Sequence, residues 1–107
     1  MATDPGVRIV ALAGEHDLST AGRLREDLQL ALAGGMPILV DLSEVTFVDS
    51  SVIGVLVAAH RTAAGVDGQS VSVVAPEDGA PARLLDLIGA RHVLQVFESR
   101  DAAVTTA

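Results

Sequence analysis

"FVDSSVIG", residues 47–54, sets one acid and two serines between an apolar run that reads as a strand and an apolar run that reads as a helix. Upstream, "PILVDL" (37–42) is apolar on both faces and reads as a central strand. Downstream, residues 52–65 are ambiguous, because Val52, Ile53, Val55 and Val57 favour a strand while Gly54 favours neither state. Their length, Ala-rich second half and Asp-Ser-Ser start point to a helix buried over most of its surface. Asp49 stands where an N-cap belongs, with a carboxylate able to accept the amides of Ser51 and Val52.

The same alternation continues outward. Residues 7–14, "VRIVALAG", are β-branched and apolar and read as a strand closed by Gly14. "EHDLST" (15–20) reads as a polar loop whose Ser19 or Thr20 caps the next helix. In that helix Leu24, Leu28 and Leu32 recur every fourth position, and Gly34-Gly35 ends it. "QSVSVVA" (69–75) is a third strand. Residues 77–90 are a short helix with Pro81 near its first turn and a Leu84, Leu85, Leu87, Ile88 face. "HVLQVFE" (92–98) is a last strand, and residues 98–107 start a C-terminal helix or fray. Strands alternating with helices predict an α/β fold around a mainly parallel sheet.

Composition narrows the function. The chain has 107 residues, enough for one small domain with one core. Phe47 and Phe97 are its two aromatic residues, so Val, Leu, Ile and Ala must build that core. Fourteen acids against seven arginines, with no lysine, leave a net charge of −7. Such a chain lacks the basic footprint and stacking platform that nucleic acid requires, and anionic membrane surfaces repel it. Protein partners are the expectation. With no cysteine, disulfides and cysteine-zinc sites are excluded. No apolar run approaches the ~20 residues of a membrane span, and the N-terminus lacks a signal-peptide layout. The expected location is the cytoplasm.

A hydroxyl at a strand-to-helix turn can cap the helix, attack a substrate or accept a phosphate. Attack needs a base, yet His16, His60 and His92 are scattered and the G-x-S-x-G elbow is absent. Their spacing holds no helical zinc pair, and neither phosphate-binding glycine motif occurs. No catalytic residue, metal or cofactor is therefore expected. On residue types alone, Asp49, Ser50 and Ser51 are first of all a helix start. A phosphoryl group on Ser50 would nevertheless be tolerated there, because the first turn carries unpaired N–H groups and partial positive charge. It would add ~1.5–2 negative charges beside Asp49, close to Glu15 or Asp17, without breaking the fold.

These residues resemble a known family. "LAGEHDLSTAGRL", "PILVDLSEV" and "FVDSSVIG" together look like the STAS domain of anti-sigma factor antagonists and sulfate transporters. Its first motif, Gly-Glu-x-Asp-Leu, is matched by Gly14, Glu15, Asp17 and Leu18. The second is matched by Asp41, Leu42, Phe47, Asp49, Ser50 and Ser51, and the likeness runs from about Val7 to the end. It implies a STAS-like fold, with a mixed, mainly parallel sheet of about four strands covered by three to four helices. In the antagonist branch the first serine after the aspartate, here Ser50, accepts phosphate from an anti-sigma factor that is also a serine kinase. The unphosphorylated form binds that kinase and frees the sigma factor; phosphorylation breaks the complex and a phosphatase restores it.

On this resemblance Glu15, Asp17, Asp49, Ser51 and Val52 belong to the docking edge beside Ser50. Two departures stand out. The family's glycine after Ser-Ser is Val52 here, a branched side chain expected to crowd an approaching kinase. That opens an alternative, an unphosphorylated STAS scaffold subunit of a stress-signalling or transporter complex. The strand preceding "VRIVALAG" in many members is short or missing, which leaves a sheet edge free and predicts a monomer or weak homodimer.

Overall fold

The computed structural model describes residues 2–4 and 6–106. The run from Val7 to His16 forms β2, and a three-residue strand before it, β1 (Ala2–Asp4), pairs with it antiparallel. There follow α1 (Leu18–Ala33), β3 (Ile38–Val48), α2 (Ser50–Ala64), β4 (Val71–Val74) and α3 (Ala80–Leu87). A 3₁₀ turn (Ala90–His92), β5 (Gln95–Phe97) and α4 (Arg100–Thr106) complete the chain. Among the described residues one five-stranded sheet runs in the order β1-β2-β3-β4-β5, with β2 to β5 parallel. The expected mixed, mainly parallel sheet is present, with five strands where about four were expected and four helices where three to four were.

Crossovers of one hand that step one way across a sheet all place their helices on the same face. Accordingly α1, α2 and α3 share one core with the sheet, around Leu28, Ile38, Val40, Ile53, Leu56, Val73 and Leu85. α4 lies on the opposite face, where Ala103 packs against Ile9, Leu39 and Val74.

Several boundaries depart from the sequence reading. The strand expected to be short or missing is present and short, the three-residue β1, with Ala2, Thr3 and Asp4 registered against Ile9, Arg8 and Val7. It covers only Val7 to Ile9 of the ten-residue β2 edge that was expected to be free for dimerisation; Met1 and Pro5 lie outside the described residues, as does Ala107 of the C-terminal segment. β3 continues six residues past Leu42, because Val45 and Val48 also reach the core. The two are three positions apart, which strict alternation forbids. Register shifts against β2 absorb the mismatch, and Gly14 takes φ +80° between them.

The face expected for α3 is also revised. Pro81, Ala82 and Leu85 form its buried stripe, whereas Leu87 is 82% and Ile88 46% exposed. The helix ends at Leu87, one step off that stripe. His92 falls in the 3₁₀ turn, so the last strand is only Gln95–Phe97.

α4 is tied back by one long-range ion pair. Asp41 of β3 is buried, and its Oδ2 accepts Arg100 Nε at 2.5 Å while Oδ1 accepts the Ser43 amide at 2.9 Å and the Ser43 hydroxyl. Burial works against its charge, but the Ser43 bonds and the Arg100 guanidinium outweigh it and hold the carboxyl below its ordinary pKa. The charged form is thus preferred in the folded state, and its contribution is present above the unfolded pKa of ~3.9 and lost as pH falls below it. Arg100→Ala should cost about 1–2 kcal/mol, a buried-pair penalty reduced because Arg100 is nearly half exposed. Urea melts at pH 7 and pH 3 check this. The difference between wild type and variant should shrink at pH 3, and an equal difference at both would refute the pairing.

Candidate functional site

β2 and β3 end side by side, with His16 registered against Val48. The Asp49 amide adds one more rung, donating to the His16 carbonyl at 3.3 Å. Each strand then turns into a helix through an aspartate in extended conformation, Asp17 before α1 and Asp49 before α2. The two helix starts therefore meet at one end of the sheet. The Leu18 amide at the start of α1 also helps to hold the Asp49 carboxyl low, which links the two helix starts electrostatically.

The two caps repeat one pattern. Asp49 Oδ1 accepts the Ser51 amide at 3.0 Å and the Ser51 hydroxyl at 2.5 Å. Asp17 Oδ1 accepts the Ser19 amide at 2.8 Å and the Ser19 hydroxyl at 2.5 Å. Thr20 Oγ1 closes a capping box by accepting the Asp17 amide at 3.1 Å. The α1 cap is thus Asp17, not the expected Ser19 or Thr20, which bond back to it. Hydroxyl and amide bonds hold both carboxyls below the usual carboxylate range, with Ser51 the leading cause at Asp49 and Ser19 at Asp17. Both stay charged at neutral pH.

Ser50 occupies the first position of α2 and is exposed. Asp49 claims the hydroxyl of Ser51, while nothing among the described residues claims that of Ser50. Two adjacent serines of identical chemistry are thereby distinguished, one tied and one free. At the matching place in α1 stands Leu18, 76% exposed. Glu15, registered against Phe47, is exposed on the same rim.

Val52 does not stand where the sequence reading put it. Its side chain is 0% exposed and belongs to the main core. It presents no surface beside Ser50, because the first turn of α2 points position 52 inward and position 50 outward.

Sequence reasoning missed two features here. His16 buttresses the turn, with Nε2 3.0 Å from the Ala13 carbonyl and Nδ1 3.1 Å from Thr20 Oγ1. A carbonyl only accepts, so Nε2 carries the proton. Both ring nitrogens are engaged within the turn. The second feature is a groove of about 400 Å³ running from Ser50 between α2 and the end of α3. Gly54, Val57 and Ala58 form one wall and Ile88 and Val93 the other. The exposed Ile88 was the available signal, hidden by its assignment to the core. Among the described residues no cluster of three or more His, Cys, Asp or Glu could hold a metal, and no helix is long and apolar enough to cross a membrane.

The family described as "Mlab, STAS domain" matches residues 2–96. Among solved structures, an anti-sigma factor antagonist from Mycobacterium paratuberculosis is similar at 26% identity and a TM-score of 0.84, covering 98% of this chain and 88% of that one. The anti-sigma factor antagonist SpoIIAA in its unphosphorylated form is 17% identical with a TM-score of 0.74, covering 97% and 90%. The Bacillus cell fate determinant SpoIIAA in the phosphorylated form is 17% identical with a TM-score of 0.68, covering 100% and 96%. No protein of curated function matches the sequence.

Proposed function

This chain belongs to the STAS-domain family, and from that membership we propose that it is an anti-sigma factor antagonist, a binding protein rather than an enzyme, switched off by phosphorylation at Ser50. The observation that carries the proposal is the contrast between the two serines. Ser51 spends its hydroxyl on Asp49, whereas Ser50 holds its own outward at the first position of α2. Similarity to the mycobacterial antagonist and to SpoIIAA supports the role.

The partner is an anti-sigma factor that is also a serine kinase. It supplies ATP; the Ser50 oxygen displaces ADP from the γ-phosphorus, and the hydroxyl proton passes to the kinase. Asp49 has already taken the Ser51 amide. The new phosphate therefore does not fold back onto the helix start. Asp49 and Asp17 repel it outward, into the surface the partner occupies. Binding is lost while the domain stays folded, and a serine phosphatase reverses the change. Glu15, Asp17, Asp49 and Ser51 shape and charge this edge. The proposed setting is the cytoplasm, where sigma-factor-dependent transcription is controlled.

Incubation with the cognate kinase and ATP, followed by peptide mapping, tests the site. One phosphate on Ser50 is expected. A phosphate on Ser19 or Ser51, or none with a kinase active on another substrate, would overturn it. One observation favours a second reading, an unphosphorylated scaffold subunit of a stress-signalling or transporter complex: the matching family carries the Mlab description rather than that of the antagonists. Under it, Ser50→Ala and Ser50→Asp would bind partners equally.

A further inference from the structure

The face of the sheet under α4 holds a recess of about 190 Å³ among the described residues. It sits at the starting ends of the parallel strands, away from Ser50, which lies beyond their other ends. Its floor is Val7, Leu39 and Phe97, and its roof is Ala103 and Val104 of α4. Phe97 is the larger apolar group; the roof above it is built from small ones. Ser72 and Gln95, opposite each other in register, and Ser70 beside them add polar groups to a mostly apolar lining.

We propose that this recess is a binding site for a small, neutral, largely apolar molecule carrying one hydrogen-bonding group, with α4 as its lid. Size sets the first limit, because an apolar cavity of about 150 Å³ already accepts a benzene ring, so roughly six to eight heavy atoms fit here. Charge sets the second. Among the described residues no basic side chain lines the recess, and a chain of net charge −7 disfavours an anion. Ser72 and Gln95 give a hydroxyl or carbonyl a partner, since a buried polar group without one is costly.

The lid assignment follows from how α4 is held. Seven residues are too few for a helix to be stable alone, so its docking depends on its contacts. Arg100 clasps Asp41 at its first residue, and the Ser99 hydroxyl caps it by accepting the Ala102 amide at 3.1 Å. The clasped end is fixed. The Val104 end, over the recess, rests on the Ala103 contacts. A ligand entering below Val104 would fill the space without breaking the ion pair, and would tighten the lid by adding contact area.

Benzyl alcohol is a suitable probe, having an apolar ring and one hydroxyl, and benzene is its control. Amide NMR titration of the full chain with each should give saturating shifts confined to Val7, Leu39, Phe97, Ala103 and Val104, with Ser50 unmoved. Benzyl alcohol should bind more tightly than benzene, and bound probe should slow hydrogen exchange at Ala103 and Val104. Ser72→Ile fills the recess and should weaken binding at least tenfold. Shifts that fail to saturate, spread over the molecule or map to the Ser50 end would overturn the assignment. So would full affinity in folded Ser72→Ile; should that variant not fold, the wild-type shift map and exchange rates decide alone.

Discussion

Ser50→Asp is expected to weaken binding to the kinase-type anti-sigma factor by roughly a hundredfold or more, since like charges forced together at an interface cost several kcal/mol. The edge already carries Glu15, Asp17 and Asp49, and the chain as a whole is acidic. A partner that fits this edge must present positive or neutral groups close to Ser50. A carboxylate at position 50 adds charge beside Asp49, which already holds the Ser51 amide. Stability should barely change. An acid in the first turn of α2 interacts favourably with the helix dipole, and repulsion from Asp49 offsets that gain, leaving a net effect within about 1 kcal/mol. Ser50→Ala should bind like wild type and resist modification. Titration calorimetry and thermal melts on the three proteins separate these outcomes, and an aspartate variant that binds as well as wild type would end the electrostatic explanation.

Val52→Gly is the second large effect, and it acts on stability. Restoring the family's glycine reads, from sequence, as clearing a path for the kinase. The burial of Val52 argues otherwise. Removing a fully buried valine forfeits about 1.5–3 kcal/mol of apolar burial. Glycine in a helix adds roughly 0.5–1 kcal/mol of backbone entropy. The expected loss is about 2–4 kcal/mol, read as a lower urea midpoint. Phosphorylation of the folded fraction should proceed at the wild-type rate, because the side chain removed does not face the partner. An unchanged midpoint with faster phosphorylation would restore the crowding explanation.

Local codes were the most legible part of this chain. Asp49 as the α2 cap could be read from residue types, since an acid followed by two serines before an apolar run has few other uses. The same code misled at α1, where Asp-Leu-Ser-Thr offers three good caps and only the fold chooses Asp17. The mainly parallel sheet and the helices between its strands follow from alternation, whereas the strand order does not. The extent of β3 does not, because Ser43, Glu44 and Thr46 look like loop residues until the open face beyond α4 explains them. β1 carries no periodic signal in three residues. Leu87 and Ile88 look like core because they are apolar, although the α3 stripe runs through Pro81, Ala82 and Leu85 instead. At the site, the contrast between Ser50 and Ser51 is invisible in sequence. Both are serines, and only the geometry of Asp49 sets them apart.

Whether phosphate at Ser50 switches binding without unfolding the domain can be read from one preparation in three states. The affinity of the kinase-type anti-sigma factor is measured, without ATP, for the unmodified chain, for the chain phosphorylated to completion, and for the same sample after phosphatase treatment. Tight binding, a loss of about a hundredfold or more and full recovery are expected, with superimposable far-ultraviolet spectra throughout. Equal affinity in all three states would show that Ser50 is not the switch.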